Sequence, residues 1–247
     1  MQFNEIKSRF HEDGFVVVRG FFSTQELASI ESGLADIVQH VAPTLSKGDV
    51  YYEDTDAQAI KSMFRLEQHS ETFSTLREHP RLLDLARAVY DDPVMELETV
   101  MFFGKVAHSG SQTPHHQDNF YQCFEPPDAM RITIALDSST AANGPLTCQK
   151  GSHRLGILPH QPSQVLGFSQ VLIEPPDKTR YPDVEICLEP GDICLHATNT
   201  VHHSGPNRTD RSRRQLAIEC RATRVRRNEQ MLADRRKVVE RLHNQRG

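Results

Sequence analysis

"VEICLEPGDICLHA", residues 184–197, holds two short apolar runs split by Pro190-Gly191-Asp192. Each run is too short for a stable helix and is rich in Ile, Val, Leu and Cys. Pro-Gly-Asp is turn chemistry, so the stretch reads as two strands joined at 190–192. The same texture recurs on both sides of it. "VMELETVMFFGK" (94–105), "MRITIALD" (130–137) and "RRQLAIECRA" (213–222) all read as strands. Several short strands separated by Pro/Gly turns predict an antiparallel barrel or a double-sheet roll.

The first third of the chain has a different period. "GFVVVRGFF" (14–22) is a short β-branched run bounded by Gly, hence a strand. "STQE" (23–26) then carries the Ser-x-x-Glu of a capping box, and Leu27, Ile30, Leu34, Ile37, Val38 and Val41 follow at helical spacing. Pro43 and Gly48 end that helix. "ETFSTLREHPRLLDLARAVY" (71–90) predicts more helix with a break near Pro80, and "NEQMLADRRKVVERLHNQRG" (228–247) a charged helix at the end. The stretch 159–183 is Pro-rich with little period, which reads as a long connection of the kind that often carries binding function. No repeat or linker divides the chain, so residues 1–247 read as one domain, with helices outside a β roll.

Composition removes some functions. With 247 residues, 37% hydrophobic and 25% charged, the chain is long enough for a substantial core. A net charge of -5 gives no general attraction to nucleic acid or membrane. The start lacks the apolar core of a signal peptide, and no apolar run approaches the roughly 18 residues of a membrane span. The cysteines 123, 148, 187, 194 and 220 are odd in number and form no C-x-x-C pair; they read as free thiols of a cytoplasmic protein.

"TPHHQDNFYQ" (113–122) supplies the first chemistry. On a strand, residues two apart share a face, so His116 and Asp118 face together and His115 turns away. An imidazole and a carboxylate suit a borderline divalent ion such as Fe(II), but the pair needs a third ligand. "TVHHSGPNRTDRSRRQL" (200–216) offers another doubled histidine, His202-His203, followed by arginines. Guanidinium binds a carboxylate in bidentate fashion, as a dicarboxylate co-substrate would require. Leu216, Ile218 and Cys220 form one apolar strand face, which Arg214 shares. Arg213 lies with Gln215, Ala217 and Glu219 on the more polar face, which favours Arg213 as the anchor.

These pieces together resemble the phytanoyl-CoA dioxygenase family of Fe(II)/2-oxoglutarate oxygenases. The likeness is carried in order by "HQD" (116–118), "NGPLTCQKGSHRLGILPH" (143–160), "PGD" (190–192) and "HHSGPNRTDRSRR" (202–214). It extends to "DGFVVVRGFF" and to Lys105 after "MFFG". The resemblance implies a mainly β fold: a double-stranded β-helix (jelly-roll, cupin-like) core with flanking α-helices. It implies that Fe(II) is held by His116, Asp118 and His202. Arg213, eleven places after His202, and Ser204 would bind the far carboxylate of 2-oxoglutarate, with Thr133 beside the co-substrate where the family often has a large aromatic.

The family's chemistry couples O2 and 2-oxoglutarate to oxidation of a small-molecule substrate, with release of succinate and CO2. Related halogenases have a small residue where Asp118 stands, so a carboxylate there favours hydroxylation. Desaturation, epimerisation or cyclisation on the same iron is the alternative, and a non-catalytic metal- or ligand-binding module a further one. Asn119, Phe120, Tyr121 and Gln122 follow the proximal ligands and are expected either to line the substrate cavity or, for the aromatics, to pack an edge strand. Arg131 is expected either to meet an anionic substrate or to lie solvated, and His153, His160, His196 and Asp192 to serve structure. Loops 50–65 and 159–183 would select the substrate, expected to be a small polar or anionic molecule.

Overall fold

The computed structural model describes residues 2–46, 48–53, 56–108, 112–163, 165 and 168–246. Its strands are β1 (Phe15–Val18), β2 (Val50–Glu53), β3 (Asp56–Met63), β4 (Met95–Lys105), β5 (Thr113–His116), β6 (Phe124–Glu125), β7 (Ala129–Ala135), β8 (Leu146–Gln149), β9 (His160–Pro162), β10 (Gln170–Leu172), β11 (Asp183–Ile186), β12 (Ile193–Ala197), β13 (His202–Ser204), β14 (Arg213–Ala222) and β15 (Arg226–Arg227). Its helices are α1 (Phe3–Asp13), α2 (Thr24–Asp36), α3 (Glu71–Leu76), α4 (Pro80–Tyr90), α5 (Asp118–Gln122) and α6 (Glu229–Arg246).

A major sheet runs in the order β1-β12-β7-β14-β4-β3-β2 and a minor one in the order β11-β8-β13-β5. Pairing within both is antiparallel. The strands flanking Pro190-Gly191-Asp192 do not pair with each other: β11 lies at the edge of the minor sheet, β12 inside the major one. The turn is therefore the corner at which the chain crosses between layers, and such crossings close a jelly roll. Gly191 makes it with φ +89, a conformation that side chains disfavour. The Asp192 carboxylate accepts the backbone N–H groups of Gly20 and Glu189, each at 2.8 Å, and pairs with Arg19 at 2.6 Å.

Strand alternation assigns the two faces of the major sheet. Met130, Ile132 and Ile134 on β7, Ile193 and Leu195 on β12, and Leu216 and Ile218 on β14 form one core with Phe10, Leu34, Leu82 and Leu85 of the helices. Ser23 caps α2 and Glu26 reciprocates, completing the capping box. The helical stretch 71–90 divides into α3 and α4, with Pro80 in the first turn of α4, where its missing N–H costs nothing. The opposite face of the major sheet looks inward toward the minor sheet. At one end of the roll Phe15, Ala135 and Cys194 pack there on Leu146, Cys148 and Ile186.

Two stretches differ from expectation. The described residues of 50–65 are not a loop. Strands β2 and β3 form a hairpin that extends the major sheet beyond β4. The stretch 159–183 contains a short hairpin of its own, β9 with β10.

Candidate metal centre and its cavity

His116 closes β5 and His202 opens β13, and the two are register partners across that antiparallel pair. Their rings meet with centroids 4.1 Å apart. His116 Nδ1 lies 2.9 Å from the Pro114 carbonyl and His202 Nδ1 3.0 Å from the Thr200 carbonyl. A carbonyl only accepts, so each Nδ1 carries the proton and donates. Each Nε2 is left with its lone pair free.

Asp118 joins them by a route that strand parity does not describe. The strand stops at His116, Gln117 caps α5, and Asp118 stands in its first turn. Its Oδ1 nevertheless lies 3.8 Å from His116 Nε2 and 3.9 Å from His202 Nε2. One ligand atom from each of the three residues lies within 4.8 Å of the others, and all three residues are buried. Gln117 fixes the intervening turn. Its amide nitrogen donates to the Gly156 and Asn199 carbonyls at 2.8 and 2.6 Å, and its oxygen accepts the Leu158 N–H at 2.8 Å.

The second oxygen of Asp118 is held from below. Glu219, Arg131 and His196 lie side by side on the inner face, in register across β14, β7 and β12. Arg131 Nε is 2.8 Å from Asp118 Oδ2 and His196 Nε2 is 3.2 Å from it. Arg131 is thus neither solvated nor free to meet a substrate alone; it is the counter-ion of Asp118. Burial alone would raise Asp118, but Arg131, His202 and His196 carry it well below the usual carboxylate range. Burial pushes His116 and His202 down, so the imidazoles favour their neutral form. These protonation states are the ones that ligate a metal.

A cavity of about 440 Å³ opens above this cluster. Arg213, Gln215, Ala217 and Glu219 line it, while Leu216 and Ile218 face the helices, as alternation along β14 requires. Arg214 turns outward to Asp137 and Glu31. Arg213 is 3% exposed. Its Nη2 donates to the Gly144 carbonyl at 3.1 Å and its Nη1 to Gln215, while its Nε is buried without a partner. Ser204 donates to the same Gly144 carbonyl at 3.1 Å. Lys105 pairs with Arg213 across β4 and β14 and donates to the Gly205 carbonyl. Burial, and then the charge of Arg213, push Lys105 down to about 7. Thr133 is buried in the wall nearby.

Of the four residues after Asp118, Tyr121 and Gln122 reach the cavity. Asn119 instead bonds Phe124 and Asn199, and Phe120 stacks on His160 with centroids 3.8 Å apart. His153 approaches the His11 carbonyl at 3.1 Å and His160 that of Leu158 at 2.8 Å, both as structural ties. Sequence reasoning missed the cavity wall formed by Met101, Arg227 and Arg235, whereas Phe168 in that wall belongs to the stretch 159–183 expected to select the substrate. Arg235 lies in α6 and donates to the Tyr121 carbonyl. Nothing in the spacing of a charged helix marks one of its arginines as inward.

A jelly roll with a buried His-Asp-His cluster under a cavity defines the class: an Fe(II)/2-oxoglutarate-dependent oxygenase. The family model for phytanoyl-CoA dioxygenase (PhyH) matches residues 10–215, and the chain belongs to that family. It is similar to a probable alpha-ketoglutarate-dependent hypophosphite dioxygenase of Stutzerimonas stutzeri, 25% identical over 226 residues that cover 87% of this chain and 77% of that protein. It is similar also to an L-proline trans-4-hydroxylase of Streptomyces griseoviridis, 27% identical over 158 residues, 62% of this chain and 56% of that protein. The crystal structure of EctD from S. alaskensis with 2-oxoglutarate and 5-hydroxyectoine superposes with a TM-score of 0.75, at 21% identity, covering 91% of this chain and 77% of that one.

Proposed function

We propose that the protein, acting as one domain, hydroxylates a small polar or anionic molecule. Fe(II) would be held by His116 Nε2, Asp118 Oδ1 and His202 Nε2, and the far carboxylate of 2-oxoglutarate by Arg213 and Ser204 beside Thr133. The observation that carries this reading is the convergence of the three buried ligand atoms within 4.8 Å. The donor set fits the metal: each imidazole has its Nδ1 proton already committed to a carbonyl, and two nitrogens with one carboxylate leave positions open for co-substrate and O2. When bound, the iron supplies O2 activation coupled to decarboxylation of 2-oxoglutarate to succinate and CO2.

The chain's own residues do the rest. Pro114 and Thr200 fix the histidine tautomers, and Arg131 and His196 keep Asp118 Oδ1 turned toward the histidines. Arg213 offers an unused Nε–H in a buried setting, where a carboxylate gains most from it. Arg227 and Arg235 make part of the remaining wall positive, and Glu219 adds an acidic group. That charge supports a polar or anionic substrate. At about 440 Å³ the cavity suits a small molecule rather than a polymer. Among the described residues no helix is long and apolar enough to cross a membrane. The free cysteines accord with a reducing cytoplasm.

The test is an anaerobic optical titration with Fe(II) and then 2-oxoglutarate, followed by succinate release in air. A visible charge-transfer band in the wild type that is lost in Asp118→Ala supports the reading. Absence of the band in the wild type refutes it.

A further inference from the structure

Each ligand histidine has a histidine neighbour, and alternation sends that neighbour to the other face of the minor sheet. There His115 of β5, His203 of β13 and Asp183 of β11 form a second cluster, with one candidate ligand atom from each lying within 4.8 Å of the others. The two rings lie with centroids 3.9 Å apart at 31°. His203 Nε2 is 3.3 Å from Asp183 Oδ2.

Two atoms of this cluster are hard to explain as ordinary structure. His115 Nε2 and Asp183 Oδ1 are both buried with no hydrogen-bond partner. Buried polar atoms are rarely left unsatisfied, and an imidazole nitrogen beside a carboxylate oxygen is a donor pair for a metal. The carboxylate is balanced on its other oxygen by Lys178, 2.7 Å from Oδ2, and the Lys178 side chain is 60% exposed. That ammonium can swing into solvent when another cation arrives.

We propose that His115, His203 and Asp183 form a second site for a borderline divalent cation of the zinc(II) class, back to back with the iron site. Two imidazoles and one carboxylate suit such an ion and leave a position for water. Strands β5 and β11 are the two edges of the minor sheet, so the ion would clip its edges together across β8 and β13.

The test is titration of metal-free protein with zinc chloride against a chromophoric chelator. Zinc also suits the His116–Asp118–His202 site, so the wild type is expected to take up two equivalents per chain. His115→Asn, His203→Asn and Asp183→Asn should each take up one, with unchanged far-UV circular dichroism. His116→Ala should also take up one, filling the outer site. Lys178→Met should tighten the outer equivalent by removing its competitor. One equivalent in the wild type that the three outer-site variants keep and His116→Ala loses, or two equivalents in all three outer-site variants, overturns the proposal. Failure of the iron-site reading would instead appear as one equivalent in the wild type that His116→Ala keeps and the three outer-site variants lose.

Discussion

Replacing Arg213 by Met separates a binding role from a structural one, because the two predict opposite outcomes. Burial holds the guanidinium down at about 10, well below its ordinary value. That gap puts a penalty of about 3 kcal/mol on the charged form in the free protein. Met removes the charge and fills much of the same volume. It also loses the hydrogen bonds to Gly144 and Gln215, each worth about 1–2 kcal/mol. These terms nearly cancel, so the metal-free variant should be within about 1 kcal/mol of the wild type, a Tm shift within about 4 °C for a chain of this size. Binding of 2-oxoglutarate should behave differently. Truncating one partner of a buried charge pair costs about 2–5 kcal/mol, so affinity should fall roughly 30-fold to several-thousand-fold. Arg213→Lys should fall between, since an ammonium lacks the fork. Differential scanning fluorimetry on metal-free protein and an anaerobic 2-oxoglutarate titration of the ferrous protein measure the two quantities. A Tm loss above about 8 °C with affinity unchanged within about threefold would show that Arg213 is a core strut, and would refute the co-substrate assignment.

Arg131→Met leaves Asp118 Oδ2 with His196 alone, and should weaken ferrous ion binding by about 10- to 100-fold in a chelator competition; unchanged affinity would reduce the pair to charge balance. Lys105 gives a pH signature. With its value near 7 in the free protein, a bound dianion favours the ammonium and raises that value, so binding takes up a proton above pH 7. The apparent affinity for 2-oxoglutarate should therefore fall as pH rises from 7 to 9, by at most about tenfold per unit, and Lys105→Met should flatten the profile. Ile132→Ala, at a fully buried core position, should cost about 2–5 kcal/mol in urea denaturation with an unchanged m-value, while the ferrous binding constant stays within about threefold.

Much of this was readable in the residues, though not always for the right reason. Arg213 was separated from Arg214 by the alternation of Leu216, Ile218 and Cys220, a local property that survives folding. His116 and Asp118 were paired by the same rule, yet their segment leaves the strand after His116, and Asp118 arrives from a helix. A motif can thus indicate which residues belong together while misdescribing the backbone between them. Arg131 and His196 could not be tied to Asp118 from sequence, because that contact depends on the register of β7 against β12 and on where α5 sits above both. The hairpin at 50–63 was hidden because "VYYEDTDAQAIKSM" is too polar to announce strands. It is stabilised by joining an existing sheet edge rather than by its own propensity.

The Gln117 clamp sets a boundary for anyone wishing to transplant substrate specificity into this scaffold. Its three hydrogen bonds bolt the peptide bearing Asp118 to Gly156, Leu158 and Asn199. The segment 159–183 can be exchanged or lengthened with these bolts in place. A splice that begins even three residues earlier would unfasten a candidate iron ligand, and would look like a failed substrate match when the lost part is the metal.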